Sequence, residues 1–267
     1  MDIELIKRPF KKIGAEVERL ELGEMKWRGV SPANYRIDVK HGVFQIFALS
    51  EVEVSVVDVK AEQKHLLLNI TDMNARHVKS KHKFLLGFDE RDWFVAAVPE
   101  KFTWVKNVEE AKAALKPDEV VRAEKVLKKK SKNVRKNKAW IRQGEWFFIP
   151  AYGLVVDKRS IHRNEPISRG NGGKPHMVDE VYRELGEVVY VSKEFPAGVS
   201  QDRFKEIVRI RPHMRSKFRM MMRNSEVYAK GRVKHADHAT IFLDGWHKVM
   251  MNTESAASSM ASLAFLD

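Results

Sequence analysis

The stretch Arg122-Ala123-Glu124-Lys125-Val126-Leu127-Lys128-Lys129-Lys130-Ser131-Lys132-Asn133-Val134-Arg135-Lys136-Asn137-Lys138-Ala139-Trp140-Ile141-Arg142 divides this chain. It carries ten basic residues and one acid, Glu124. Its start predicts a short helix, because Asp118 after Pro117 is an N-cap and Val121, Ala123, Val126 and Leu127 form a thin apolar stripe. From Lys128 to Lys138 there is almost nothing to bury, so this part reads as a solvated linker or a phosphate-binding arm. The hydrophobic pattern changes across it. The expected fold class is α+β: a mixed α/β domain over 1–117, a basic helix and linker over 118–139, a mainly-β barrel or sandwich over 140–252, and a flexible tail over 253–267.

On the N-terminal side, 42–49 and 83–88 read as buried strands, and Val52, Val54 and Val56 alternate with polar residues as a half-exposed strand does. Asp89-Glu90-Arg91-Asp92 is a polar turn that makes 83–98 a hairpin. Asn107 with Glu110 three residues on predicts a capped helix that Pro117 ends. On the C-terminal side the strands are short: 145–150, 187–191, 227–233, 240–243 and 246–250. Asp244-Gly245 between the last two predicts a two-residue hairpin turn, which would set Phe242 opposite His247 and His238 opposite Met251. In that register His247 lies roughly 13 Å from His238 along the strands, too far to share one ion with it.

Composition bounds the function. The 267 residues are 43% hydrophobic, enough for a core, and contain no cysteine. Disulfides, thiolate metal sites and cysteine nucleophiles are therefore excluded. No stretch approaches the roughly 18 apolar residues of a membrane span, and the acidic start Met-Asp-Ile-Glu lacks the basic region of a signal peptide, so a cytoplasmic protein with no membrane partner is expected. The net charge of +13 favours a polyanionic partner, nucleic acid first, with DNA and RNA not distinguished. The candidate backbone-binding residues are Lys128, Lys129, Lys130, Lys132, Arg135, Lys136 and Lys138, with Arg209, Arg211, Arg215, Lys217 and Arg219 in a second basic block. The basic stretch holding Arg76, His77 and His82 reads as solvated or phosphate-facing surface.

Two histidine-bearing stretches carry the candidate chemistry. His235-Ala236-Asp237-His238 lies where one strand must turn toward the next, so both imidazoles and the carboxylate could face one point. Such a set suits a divalent transition metal, zinc or manganese, or a histidine general base. A turn in which Asp237 bonds backbone amides and the histidines are solvated is the plainer alternative. Gly172-Gly173-Lys174-Pro175-His176 offers glycines for close backbone approach to an anion, a cation, and a further histidine. His176, His235, Asp237 and His238 are thus the candidate catalytic residues, His176, His235 and His238 the candidate metal ligands, and Gly172, Gly173 and Lys174 a candidate anion loop. Asp179-Glu180, close after His176, read as further carboxylates for the site or as the start of a helix over 178–185.

The segment Arg142-Gln143-Gly144-Glu145-Trp146-Phe147-Phe148-Ile149-Pro150, then Gly173 with His176, His235 with His238, and Leu243-Asp244-Gly245-Trp246-His247-Lys248-Val249 resemble a set of uncharacterised bacterial and phage proteins. Those share an Arg-Gln-Gly-Asp opening, two histidine elements and a closing hairpin. Lys174-Pro175 stands here where the first element of that set has a histidine. The resemblance covers 142–252 and implies a shared fold and site, without a reaction. Three functions remain open: a metal- or histidine-dependent phosphodiester-processing enzyme, a non-catalytic nucleic-acid-binding protein, or an enzyme on a small anionic substrate.

Overall fold

The structure is a computed structural model that describes residues 3–20, 34–73, 79–168, 174–184, 186–223 and 225–256. Strand outweighs helix, 46% against 24%, in several sheets, which makes the fold a mixed α+β one. The described residues form two compact units, one of 3–121 with 252–256, the other within 122–251.

The first unit begins with α1 (Ile3–Lys12), whose Ile6 and Phe10 are buried. A three-stranded sheet follows, in which β3 (Val43–Ala48) pairs in parallel with β1 (Glu16–Arg19) and antiparallel with β2 (Tyr35–Lys40). Next comes an antiparallel meander of β4 (Val52–Lys60), β5 (His65–Met73), β6 (Lys79–Asp89) and β7 (Asp92–Val98). Successive residues of β5 face opposite sides. Leu66, Leu68 and Ile70 join Phe84, Leu86, Ala97 and the α1 side chains in one core, where Phe10 meets Phe44 edge to face. Leu67, Leu85, Ala96 and Val98 lie in a second core with Val108, Ala111 and Ala114 of α2 (Val108–Ala114). Each aliphatic side chain so buried stabilises the fold by about 1.5–3 kcal/mol. The Asn107 carboxamide caps α2 by accepting from Glu110 N at 2.9 Å. Residues Thr253–Ala256 make a 3-10 turn on this unit, with Thr253 Oγ1 donating to Ala114 O at 2.7 Å and Glu254 buried. Residues 257–267, the rest of the expected tail, lie outside the described residues.

A short helix, α3 (Asp118–Ala123), leads into the basic segment. In the second unit, β8 (Ile141–Gln143), β9 (Trp146–Pro150), β10 (His162–Ile167), β11 (His176–Glu184), β14 (Glu226–Lys234) and β15 (Ile241–Met251) form one antiparallel sheet in the order β10-β11-β14-β15-β9-β8. Its core holds Trp146, Phe148, Val178, Val181, Val227, Val233, Leu243 and Val249. Between β11 and β14 the chain makes an excursion: β12 (Glu187–Val191), α4 (Gln201–Ile210) and β13 (Arg219–Arg223), with β12 and β13 paired and Tyr190 stacked on Phe204 at 3.9 Å.

Four expectations are corrected here. The barrel is not formed: β10 and β8 are the two edges of the sheet, and no sheet closes among the described residues. Asp244-Gly245 is not a hairpin turn but lies inside the continuous strand β15. Ala229 pairs with His247 and Gly231 with Leu243, so Asp244, Gly245 and Trp246 bulge opposite Lys230 alone. The local turn signal lost because β14 and β9 each pair with part of β15, and a bulge absorbs the surplus residues. The described residues of 178–185 are strand, not helix, because β11 is paired on both sides, and its Asp179 and Glu180 bind Arg232 and Lys230 of β14. Finally, 128–138 is not a bare connector. Lys136 bridges to Ile141, Arg142 N donates to Arg135 O at 2.7 Å, and Asn137 Oδ1 accepts from Ala139 N and Trp140 N.

Candidate metal centre

A strand and a turn of the second unit bring His176, His235 and His238 together, with one ligating atom of each within 4.8 Å of the other two. His176 opens β11, and His235 and His238 occupy the turn between β14 and β15. The His176 and His235 rings lie 4.2 Å apart, and those of His235 and His238 4.7 Å. His176 is almost wholly buried, 1% exposed, with Trp146 against its ring.

The tautomer of His176 follows from its neighbours. The Gln143 amide nitrogen donates to Ala239 O at 2.7 Å and Val233 O at 3.2 Å, which orients the carboxamide. Gln143 Oε1 therefore faces His176 and accepts from its Nδ1 at 2.9 Å. Nδ1 therefore carries a proton, and Nε2 is the nitrogen left for a ligand. A buried imidazole oriented by a second group through its outer nitrogen is the arrangement of a metal-ligating histidine.

His235 is held from two sides: its Nε2 donates to Lys174 O at 3.1 Å, and its Nδ1 accepts from Asp237 N at 3.1 Å. Burial, and then the neighbouring His176, push its pKa below the usual imidazole value, so it is neutral at pH 7. Ligation by His235 requires one of these two bonds to open. Asp237 faces Lys174, whose Nζ donates to its Oδ1 at 2.6 Å. That hydrogen bond holds the Asp237 carboxyl below the usual range. Asp237 thus pins the turn and does not join the three histidines as a ligand.

Three residues that the sequence offered only as part of the shared opening segment, with no role of their own, complete the surroundings. Gln143-Gly144-Glu145 is the tip of the β8–β9 hairpin, where Gln143 pairs with Trp146. Gly144 has φ of +57°, and a Cβ there would fall 2.7 Å from His238 Nε2, so only glycine lets that ring approach. Glu145 Oε2 lies 3.8 Å from His176 Nε2. The available signal was a Gln-Gly-Glu turn between two strand patterns, with polar residues at an otherwise apolar hairpin.

Of the remaining candidates, Gly172 and Gly173 lie outside the described residues, as do Arg76 and His77. His82 pairs with Glu100 at 3.0 Å in the first unit. Lys128, Lys129, Lys130, Lys136 and Lys138 are exposed, whereas Lys132 and Arg135 are half-buried. Arg209, Arg211, Arg215, Lys217 and Arg219 are exposed, Arg211 with Glu194 at 3.4 Å. His247 is buried in β15, its Nδ1 donating to Gly245 O at 2.8 Å. No helix among the described residues is long and apolar enough to cross a membrane.

No protein-family model matches the chain. No curated protein and no solved structure matches it either. The functional reading therefore rests on the geometry and charge of the site itself.

Proposed function

We propose that this is a cytoplasmic, nucleic-acid-associated protein that uses His176, His235 and His238 to hold a divalent transition metal, zinc or manganese, and hydrolyses phosphodiesters there. The observation that carries the reading is that one ligating atom of each of the three imidazoles lies within 4.8 Å of the other two, with buried His176 held by Gln143 through Nδ1. Three imidazole ligands bring no charge of their own to offset that of a divalent ion. They also leave coordination positions open to water and to a phosphate oxygen, as hydrolysis requires. A solvated turn, the plainer alternative, would not surround a buried histidine with two more.

The nucleic-acid half of the reading is supported by the +13 charge and by the exposed cations of 128–138 and 209–219, which lie in the same unit as the histidines. The anion-loop role of Gly172, Gly173 and Lys174 belongs to this proposal too. In it Lys174 would exchange Asp237 for a substrate phosphate.

Metal analysis of the purified protein beside a His235→Ala/His238→Ala double variant tests the centre. Near-stoichiometric transition metal in the native chain, lost in the variant, is expected; a native chain without metal overturns the metalloenzyme reading. For the partner, replacing the lysines of 128–138 with glutamine should weaken binding to a generic duplex or single strand and flatten its salt dependence. Unchanged binding at low salt would remove that segment from the interface.

A further inference from the structure

The excursion between β11 and β14 holds a cleft that the histidine site does not use. Its volume is about 470 Å3, within the range of about 300–1,000 Å3 that small-ligand sites occupy. Ser192, Lys193 and Glu194 line it from one segment, and Met214 and Lys217 from another, the 3-10 turn Pro212–Lys217. Two contacts clamp those segments together. Phe195, next to Glu194, stacks on Phe218, next to Lys217, at 5.8 Å, and Arg211 Nη1 donates to Glu194 Oε2 at 3.4 Å. Phe218 in turn meets Phe204 of α4 edge to face. The cleft is thus built into the folded excursion before any ligand arrives.

Its lining selects a kind of ligand. Met214 is 1% exposed, and its polarizable thioether suits contact with a flat aromatic ring. Lys193 and Lys217 are exposed and have no partner among the described residues. By contrast, Lys230, Arg232 and Lys248 of the same unit each face a carboxylate. Two unpaired cations beside a thioether fit a molecule with one anionic group and one aromatic ring, which is the make-up of a nucleotide. Glu194 Oε1, the oxygen that Arg211 leaves open, can accept from the exocyclic amine of a base, as carboxylates do from cytosine N4. Arg215 on the same turn and Arg219 two residues beyond it are also exposed and without a partner among the described residues. That is more positive charge than a single phosphate takes up, and successive phosphates of a strand would use it.

Resting on the nucleic-acid reading above, we propose that this cleft takes one unpaired nucleotide of a single strand. The base lies against Met214, its phosphate on Lys193 and Lys217, and its amine, where it has one, on Glu194. A base in a duplex keeps its ring stacked and its amine engaged, so the substrate class is single-stranded, with cytosine ahead of thymine.

Fluorescence anisotropy of the full chain over a series of salt concentrations tests this, with a labelled oligodeoxycytidylate, an oligothymidylate and a duplex as probes. The native chain is compared with Lys193→Gln/Lys217→Gln and with Glu194→Gln, folding being checked by circular dichroism. The oligodeoxycytidylate should bind more tightly than the duplex, and about fivefold more tightly than the oligothymidylate. The double lysine variant should bind more weakly, its slope of log affinity against log salt reduced by about 1.4, or about 0.7 for each phosphate contact on a single strand. Glu194→Gln, which can donate as well as accept, should erase the base preference. An unchanged slope, a duplex bound as tightly as the single strands, or free deoxycytidine monophosphate bound as tightly as the oligomer would overturn the strand site while binding by the other cations stands. Equal native affinity for the two oligomers would overturn the Glu194 contact. A native chain that binds none of the probes would overturn the nucleic-acid reading itself.

Discussion

His65 and His176 are both buried histidines, one in each unit, and their surroundings differ in kind. His65 sits at the start of β5, bonds the nearby Gln63 carbonyl through Nδ1, and spreads its ring over Gly87 and against Phe94. Phe94 meets that ring edge to face, and no cluster of possible metal ligands among the described residues includes it. His176 bonds a side chain 33 residues away through Nδ1, stacks with two further imidazoles and has the Glu145 carboxylate 3.8 Å from Nε2. Burial of a histidine is therefore uninformative by itself. What separates the two is whether other donors gather at the ring.

Each ring also depends on a glycine, which allows the comparison to be broken by one pair of substitutions. A Cβ at Gly144 would meet His238 Nε2 at 2.7 Å from a backbone with positive φ. A Cβ at Gly87 would meet His65 Cδ2 at 2.5 Å. Gly144→Ala should lose metal affinity by at least tenfold and cost about 1–2 kcal/mol from the left-handed backbone. Gly87→Ala should cost about 1–3 kcal/mol by overpacking and leave metal binding unchanged. Melting curves with and without added zinc read both effects. Equal zinc responses in the two variants would mean that the 176–235–238 cluster is as structural as His65.

The same contrast explains what could be read along the chain. The 83–98 hairpin and the Asn107-capped helix were legible because their signals and their partners are close in sequence: β6 pairs with the next strand, and Asn107 caps the residues that follow it. Asp244-Gly245 misled because turn chemistry is local, whereas β15 is claimed by β9, about a hundred residues earlier, and by β14. Val178–Glu184 misled in the same way, its acids answering cations on β14 rather than starting a helix. Within the site, His235 and His238 stood out through their spacing. Gln143, Gly144 and Glu145 stood in the shared opening segment without a role, since their meaning arises only when the β8–β9 hairpin meets β11 and the 235–238 turn.

The smallest effect is expected from pH, and it sharpens the comparison at His235. Burial and the neighbouring His176 hold its folded pKa below the ordinary imidazole value. The unfolded chain then binds the proton more readily than the folded one between that lowered value and about 6.5. Its contribution to stability is therefore complete above pH about 6.5 and falls as the pH drops through that window toward the folded value. Metal should follow the same direction, since a proton competes with the ion for the same nitrogen. For an imidazole resistant to protonation, however, release should begin only below pH about 6.5. Metal retention followed from pH 8 to pH 4, in the native chain and in Lys174→Met, measures this. The lysine ties Asp237 to its side of the turn, and its removal should free the turn whose Asp237 backbone N–H holds His235 Nδ1. Release in the variant should then start at higher pH than in the native chain. Coincident curves would show that the Lys174–Asp237 pair is surface decoration, and that the His235 orientation depends on its backbone bonds alone.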